Sequence, residues 1–369
     1  MLIAKDEFIG LENVAHLCAG GETPMLKSHR DAVERFFQDK VLGEVGRLRF
    51  EETAQRARQQ VAQLFGVASD EIAFLSSTSD GVNLLAHALE WQPGDNVVIC
   101  DVEFPSDVLP WTRLERAGVE IRVVRQCDWY VALDDIEAAI DARTRVVAVS
   151  HVSYFTGQRL DLAALSARVH AKGALLLVDA THAAGAVPVA AALADVVVCS
   201  CYKWLLGVHG VGIFYWNRAR LPDLQPPFLG WHSAAAGPEK AAPTQFTLRA
   251  DAARFEPGNP SFMNIYVLEN ALSRILEIGI PTIEEHVLEL SSQVWQGVHD
   301  AGYGLMTPAA ANERAGNICF QAPDIAGLTQ ALAQRGVLVW GGDGRIRVST
   351  HLYNTEEDVA AFTGALAAL

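Results

Sequence analysis

The chain has no internal repeat, and no apolar run in its 369 residues is long enough to span a membrane. Its longest small-apolar stretch, near Ala183 to Ala194, contains Pro188 and runs into Asp195. The opening Met1-Leu2-Ile3-Ala4-Lys5-Asp6 lacks the charged-then-apolar order of a secretory signal, so the expected location is the cytoplasm. Positive charge is scarce. With 29 Lys and Arg against 44 Asp and Glu, the formal charge is −15, which disfavours nucleic acid and anionic membranes as partners. The six cysteines (Cys18, Cys100, Cys127, Cys199, Cys201 and Cys319) show no paired metal spacing and sit mostly in apolar, strand-like runs. Reduced core thiols are expected, and no metal. Gly207, Gly210 and Gly212 do not match a dinucleotide fingerprint in order or placement, so a nicotinamide enzyme is poorly supported; they suit a backbone turning closely back into a strand.

What the chain does have is apolar content, 50% of its residues, enough for one large core with a smaller unit attached. Apolar runs of four to six residues alternate with segments of helical period, the pattern of a mostly parallel sheet covered by helices on both faces. Strands are expected at Ile72–Leu75, Asn96–Cys100, Glu120–Val124, Arg145–Ser150, Ala174–Asp179, Asp195–Ser200 and Gly212–Trp216. Helices are expected from Glu51 to Phe65, stopped by Gly66, from Asp80 to Leu89 behind Ser79, from Asp161 to Lys172, stopped by Gly173, and from Asn264 towards Ile278. Leu221 to Ala253, rich in Pro and Ala, reads as a long connection. A second unit gathers around Asn317–Phe320, Val337–Trp340 and Arg345–Ser349.

Chemistry concentrates at Ser200-Cys201-Tyr202-Lys203-Trp204, downstream of Asp179-Ala180-Thr181-His182. Taken alone, a lysine after a strand is an ordinary solvated residue, and an aspartate at a strand end caps the next helix. Together they read as a pyridoxal phosphate site. A lysine held partly neutral condenses with an aldehyde to give a Schiff base, and an aspartate pairing with a pyridinium nitrogen keeps the ring protonated as an electron sink. Ser200 to Lys203 also spells Ser-x-x-Lys, the nucleophile signature of penicillin-binding proteins, but no Ser-Asp-Asn or Lys-Thr-Gly accompanies it. The serine, moreover, follows the strand-like Val196-Val197-Val198 and does not open a helix. For the phosphate, Ser76-Ser77-Thr78-Ser79-Asp80-Gly81 links a strand to a helix, where N–H groups and hydroxyls converge on an anion. A plain helix cap by Ser79 is the alternative. Ser200 and Tyr202 offer a second half of that cup.

These motifs, in this order, resemble the class V aminotransferases of fold type I, which include cysteine desulfurases, isopenicillin N epimerase and kynureninase. The resemblance covers nearly the whole chain. It is carried by Ser77-Thr78-Ser79, Glu103-Phe104-Pro105-Ser106, Ser153-Tyr154-Phe155-Thr156-Gly157, Asp179-Ala180-Thr181-His182, Tyr202-Lys203, and Arg347-Val348-Ser349 followed by Tyr353-Asn354-Thr355. It implies an α/β fold: a large unit, 15–258, with a mostly parallel seven-stranded sheet, and a smaller α+β unit from 1–14 and 259–369. It further implies that Phe104 stacks on the pyridine face, Asp179 pairs with the ring nitrogen and His182 lies near the ring or its 3-oxygen. Lys203 would carry the aldimine, and Arg347 would bind the substrate α-carboxylate with a bidentate fork. Ser77, Thr78, Ser153, Ser200, Tyr202, Trp231 and Asn259 complete the implied cofactor contacts. A homodimer is implied too, with Asn259 and the Leu221 to Pro260 connection at the subunit boundary.

Within that family the desulfurases carry a nucleophilic cysteine shortly before the carboxylate arginine, whereas this chain has Val337-Leu338-Val339-Trp340-Gly341-Gly342-Asp343-Gly344-Arg345. Cys319 lies in an apolar strand-like run. Phe104-Pro105-Ser106-Asp107, Tyr154 to Gln158, and Gly230-Trp231 with Asn259-Pro260 are similar to kynureninase, although the chain is shorter. The compact build is shared with the sulfoxide lyase of ergothioneine biosynthesis and with the epimerase. The first expectation is a lyase cleaving at or beyond Cβ of an α-amino acid; transamination, epimerisation and a non-catalytic binding role are the alternatives. Arg345 shares a strand face with Arg347 and reads either as a surface residue on a fraying strand start or as a second anionic handle.

Overall fold

The structure, a computed structural model, describes residues 1–237 and 239–369. Seven runs of mostly branched apolar residues form one sheet: β1 (Ile72–Leu75), β2 (Asn96–Cys100), β3 (Glu120–Val124), β4 (Thr144–Ser150), β5 (Leu175–Asp179), β6 (Val196–Ser200) and β7 (Gly212–Trp216), in the spatial order β1-β7-β6-β5-β4-β2-β3. Strands β2 to β6 pair in parallel, and β7 alone runs antiparallel to both of its neighbours. The inner parallel strands are buried on both faces, which is why they read as near-continuous apolar runs, whereas β3, at the edge, carries Glu120 and Arg122 and is partly exposed. Leu176 and Val178 of β5 face a core built with Val61, Leu165 and Leu272, while Leu177 faces the opposite core with Val82, Leu85 and Trp111.

The helices that supply those layers are α1 (His29–Lys40), α2 (Glu44–Phe65), α3 (Thr78–Ala88), α4 (Pro105–Thr112), α5 (Leu133–Ala139), α6 (Leu162–Ala171) and α7 (Phe262–Ile278). All four expected starts shift, α6 by one residue, to Leu162, and α7 by two, to Phe262; the other two have a visible cause. Helix α2 begins at Glu44 and not at Glu51, because Gly43, with φ of 60°, turns the chain straight out of α1. Gly46 then permits the close crossing: a Cβ there would stand 1.8 Å from the carbonyl oxygen of Asp39. Helix α3 begins at Thr78, capped by the Ser77 side chain, which accepts from Asp80 N–H, and not by Ser79.

After α7 come α8 (Ile280–Asp300), α9 (Ile325–Ala333) and α10 (Glu356–Ala367) with a four-stranded antiparallel sheet of β8 (Gly304–Leu305), β9 (Asn317–Gln321), β10 (Trp340–Gly342) and β11 (Arg345–Ser349), ordered β8-β9-β11-β10. Val294, Phe362 and Ile346 belong to its separate core. The expected strand Val337–Trp340 is split: Val337–Leu338 pairs in parallel with Ala15–His16, and Trp340 opens β10 against β11. The connection from Leu221 to Ala253 holds, among the described residues, a short antiparallel pair, Ala234–Ala236 with Thr247–Leu248, and a 3-10 turn at Trp231–Ser233. Among the described residues no helix is long and apolar enough to cross a membrane.

Because β1 and β2 to β6 all run the same way, their C-terminal ends open on one edge of the sheet. This is where open parallel sheets bind ligands, since loops and helix N-termini converge there.

Candidate active site

Lys203 lies three residues past the end of β6, 8% exposed, in a cleft of about 130 Å³. Burial, with help from the Arg347 charge, pulls its ammonium down to about 8, so a useful share is a free amine near neutral pH. Its Nζ stands 3.2 Å from His182 Nε2 and 5.5 Å from the ring centroid of Phe104. Burial and three nearby cations, Lys203, Arg347 and Arg345, hold the His182 imidazole well below its ordinary range, hence neutral.

Three carboxyl groups meet at the inner end. Asp179, closing β5, accepts from Thr181 N–H at 2.7 Å. Glu103 accepts from Ser150 N–H at 3.0 Å, and burial pushes it up to about 7. Asp107 on α4 is fully buried, neither of its oxygens has a partner, and burial together with Asp179 and Glu103 drives it well above the carboxylate range. Burial raises Asp179 too. Such a cluster is frustrated by itself and is relieved by a cation placed against Asp179. A protonated ring nitrogen fits that place.

At the other end, the N-terminus of α3 is ringed by hydroxyls: Thr78 Oγ1 to Ser200 Oγ at 2.6 Å, and Ser79 Oγ to Ser106 Oγ at 2.7 Å. Helix dipole and hydroxyl donors favour a phosphate there. Gly212 makes the cup possible, because a Cβ on it would stand 2.7 Å from the Ser77 backbone. Phe104 is 40% exposed and meets Tyr154 edge-on at 5.1 Å, leaving a ring face on the cleft. An acid for a ring nitrogen, an aromatic wall, an amine for an aldehyde and a cup for a phosphate make pyridoxal phosphate the group that these residues fit.

Of the expected cofactor residues, Ser77, Thr78, Phe104, Asp179, His182, Ser200, Tyr202 and Lys203 line this cleft. Ser153 does not. Its oxygen accepts from the N–H groups of Phe155 and Thr156, at 3.1 and 3.2 Å, and shapes the turn that presents Tyr154. Trp231 and Asn259 also lie outside it: Trp231 is 59% exposed, with the Arg47 guanidinium 5.2 Å from its ring, and Arg47 donates to Asn259 Oδ1 at 2.8 Å. Arg347, 3% exposed on β11, donates to the Tyr154 carbonyl at 3.1 Å, and its Nε has no partner.

Arg345 corrects the surface reading, for it is completely buried. Its guanidinium is 3.9 Å from the centroid of Phe155, 5.0 Å from Tyr154 and 4.8 Å from Trp340, and it too donates to the Tyr154 carbonyl, at 3.3 Å. The strand start does not fray because these three rings enclose it. Asp107, Tyr154 and Thr181 are not among the expected site residues, although all three sit inside motifs already noted. Cys319 sits within β9, directly across from Arg347, fully buried with its thiol pushed up by burial. Among the described residues no group of three or more His, Cys, Asp or Glu is arranged to hold a metal.

The family model "Aminotransferase class-V" matches residues 45–362, and the chain belongs to that family of pyridoxal-phosphate-dependent enzymes. A probable cysteine desulfurase of Methanothermobacter thermautotrophicus is 29% identical over 333 residues, covering 85% of this chain and 82% of its own. The fold is also that of the apo cysteine desulfurase from Thermococcus onnurineus NA1, with a TM-score of 0.90 at 23% identity over 99% of this chain and 96% of that one. The cystine C–S lyase C-DES, solved with its reaction product cysteine persulfide, superposes with a TM-score of 0.89 at 22% identity over 98% and 99% of the two chains. The chain is thus a fold type I enzyme.

Proposed function

We propose that the enzyme is a Cβ-cleaving lyase acting on an α-amino acid, of the C–S lyase or kynureninase type, that carries no sulfur on a cysteine of its own. The observation that carries this reading is the thiol arrangement: residues 337–347 contain no cysteine, and Cys319 is sealed within a strand with a raised thiol pKa. A thiol that is neither ionised nor reachable is a poor sulfur acceptor. That the cystine C–S lyase C-DES has the same fold is consistent with this choice.

In this reading, bound pyridoxal phosphate supplies an electron sink for negative charge at the substrate Cα. The chain's own groups do the rest. Arg347 holds the α-carboxylate. Lys203, freed as a neutral amine by its surroundings, takes the Cα proton. Asp179 pairs with the ring nitrogen, with Asp107 protonated beside it. Ser77, Thr78 and Ser200 bind the phosphate, and Phe104 covers the ring. For the C–S lyase type, a leaving group at Cβ would then depart with the electron pair of its bond to Cβ, the pair at Cα closing the Cα–Cβ double bond; for the kynureninase type, water would add to the acyl carbon and Cβ would keep the pair of the broken bond and take up a proton.

The test is a substrate panel of cysteine, cysteine S-oxides, kynurenine, alanine and serine. Fragmentation of a substrate that carries a leaving group on Cβ is the expected result, with any sulfur released as a small molecule, and alanine, which carries none, should stay whole. Cys319→Ser and Cys201→Ser should keep nearly full turnover, while Arg347→Ala should raise the Michaelis constant for every cleaved substrate by about 1.5–3 kcal/mol, roughly tenfold to 150-fold, through loss of a charge-assisted contact. A persulfide trapped on Cys319 would return the enzyme to the desulfurases. Amino transfer to pyruvate or glyoxylate without fragmentation would favour the transaminase.

The proposal extends to a homodimer and to a two-part division; against the expected bounds of 15–258, α7 packs in the core of the large sheet through Leu272, while Ala15 and Leu17 pack in that of the smaller one. Phe37, Val41, Val45 and Leu48 on α1, α2 and their junction are exposed apolar residues, as are Phe228, Leu229 and Trp231. That much apolar surface is unusual for a monomer, and a second copy is the expected cover. Sedimentation should give twice the chain mass of 40.0 kDa. A fully active monomer would remove this part of the proposal.

A further inference from the structure

His182 is more tightly specified than its motif requires. Its Nδ1 receives the side-chain amide of Asn317 at 2.9 Å and the indole N–H of Trp204 at 3.5 Å. An indole nitrogen can only donate, so the lone pair of Nδ1 must face it. Because the indole requires a bare Nδ1, the NH₂ end of Asn317 faces the imidazole, and its Oδ1 then accepts from Ser349 Oγ at 2.7 Å. With Nδ1 bare, the single proton of a neutral ring sits on Nε2, and that N–H points at Lys203 Nζ, 3.2 Å away. The cations around the ring, Lys203, Arg347 and Arg345, all oppose a second proton on it; Asp179, the carboxylate at the end of the same strand, is engaged by Thr181.

We infer that Asn317, with Ser349 behind it and Trp204 beside it, is a positioning residue that locks His182 in its Nε2–H form. His182 therefore offers a hydrogen-bond donor to the cleft: to the lone pair of the Lys203 amine while that amine is free, and to an oxygen acceptor on the cofactor or substrate once the lysine nitrogen is engaged. Asn317 and Ser349 face each other across β9 and β11 of the smaller sheet, whereas His182 follows β5 of the larger one. The proton position at the centre of one sheet's edge is thus set from the other sheet. The inference rests on the cofactor class and on Lys203, not on which bond at Cβ is broken.

The test is nitrogen NMR on holoenzyme labelled with ¹⁵N-histidine, the His182 signals being assigned by their loss in His182→Gln. The expected result is a bare Nδ1 and a protonated Nε2 that persist across the working pH range. Asn317→Asp, equal in size but able only to accept, should move the proton to Nδ1 or charge the ring, and should shift the pH titration of the bound cofactor's visible band by a unit or more. Asn317→Ala, with Trp204 still donating, should keep Nε2–H and shift that titration less. A protonated Nδ1 in the unaltered enzyme overturns the inference whatever the variants do. So does Asn317→Asp with unchanged ring signals and an unchanged titration.

Discussion

Lys203→Ala is expected to retain no covalently fixable cofactor and to lose turnover by at least about 10³-fold, because one change removes both the amine that holds the aldehyde and the base that takes the Cα proton. The unaltered protein should be yellow, and borohydride should bleach it while fixing the cofactor to the single peptide that contains Lys203. The lowered lysine pKa sets a pH signature. Only the free amine attacks an aldehyde, so covalent capture by the apoenzyme should accelerate as pH rises through about 8 and level off above it. Label on Lys172 or Lys240 would overturn the assignment. Capture that rises only near the ordinary lysine range would show that the desolvated environment is absent.

Asp179→Asn carries the second large effect. The substitution keeps shape and removes charge, so cofactor retention should weaken and solvent exchange of the substrate Cα hydrogen should slow by about 10²–10³-fold, the usual cost of losing one preorganised electrostatic partner. Amine exchange between Lys203 and substrate should change far less, since no carbanion forms in that step. Asp107→Asn is the informative contrast. Asp107 is the carboxyl whose charge is most strongly disfavoured, fully buried with both oxygens unpartnered, so neutralising it alters little electrostatically. If Asp179→Asn exchanged the Cα hydrogen at the original rate, the ring-nitrogen pairing would be wrong.

Four of the seven large-sheet strands match expectation at both ends, and three begin one residue later or earlier than expected. Buried parallel strands have no solvent face, so the alternation that blurs other strands is missing. Helix α2 was legible at its end, where Gly66 adopts a left-handed φ of 68°, and not at its start, because the reason for Gly43 and Gly46 lies in the crossing with α1. Val337–Trp340 read as one strand since nothing local marks the switch of partner at Val339.

The site divides along the same line. The local order of residues was enough to single out Lys203, Asp179, His182, Phe104, Ser77 and Thr78, which line one cleft, since each lies in or just past a short strand-end motif and parallel strands bring such ends to one edge. Tertiary structure alone decided the rest. Asp107 became an unpartnered carboxyl only when α4 set it against Asp179 and Glu103, and Ser153 was drawn into its own turn. Arg345 was enclosed by Phe155, Tyr154 and Trp340, the first two 190 and 191 positions away, although the two residues just before it are Asp343 and Gly344. Asn317 met His182 across 135 residues of chain. Motifs within a few residues record what the backbone must do locally, whereas burial, charge pairing and the placing of a proton depend on neighbours that the chain brings together only by folding.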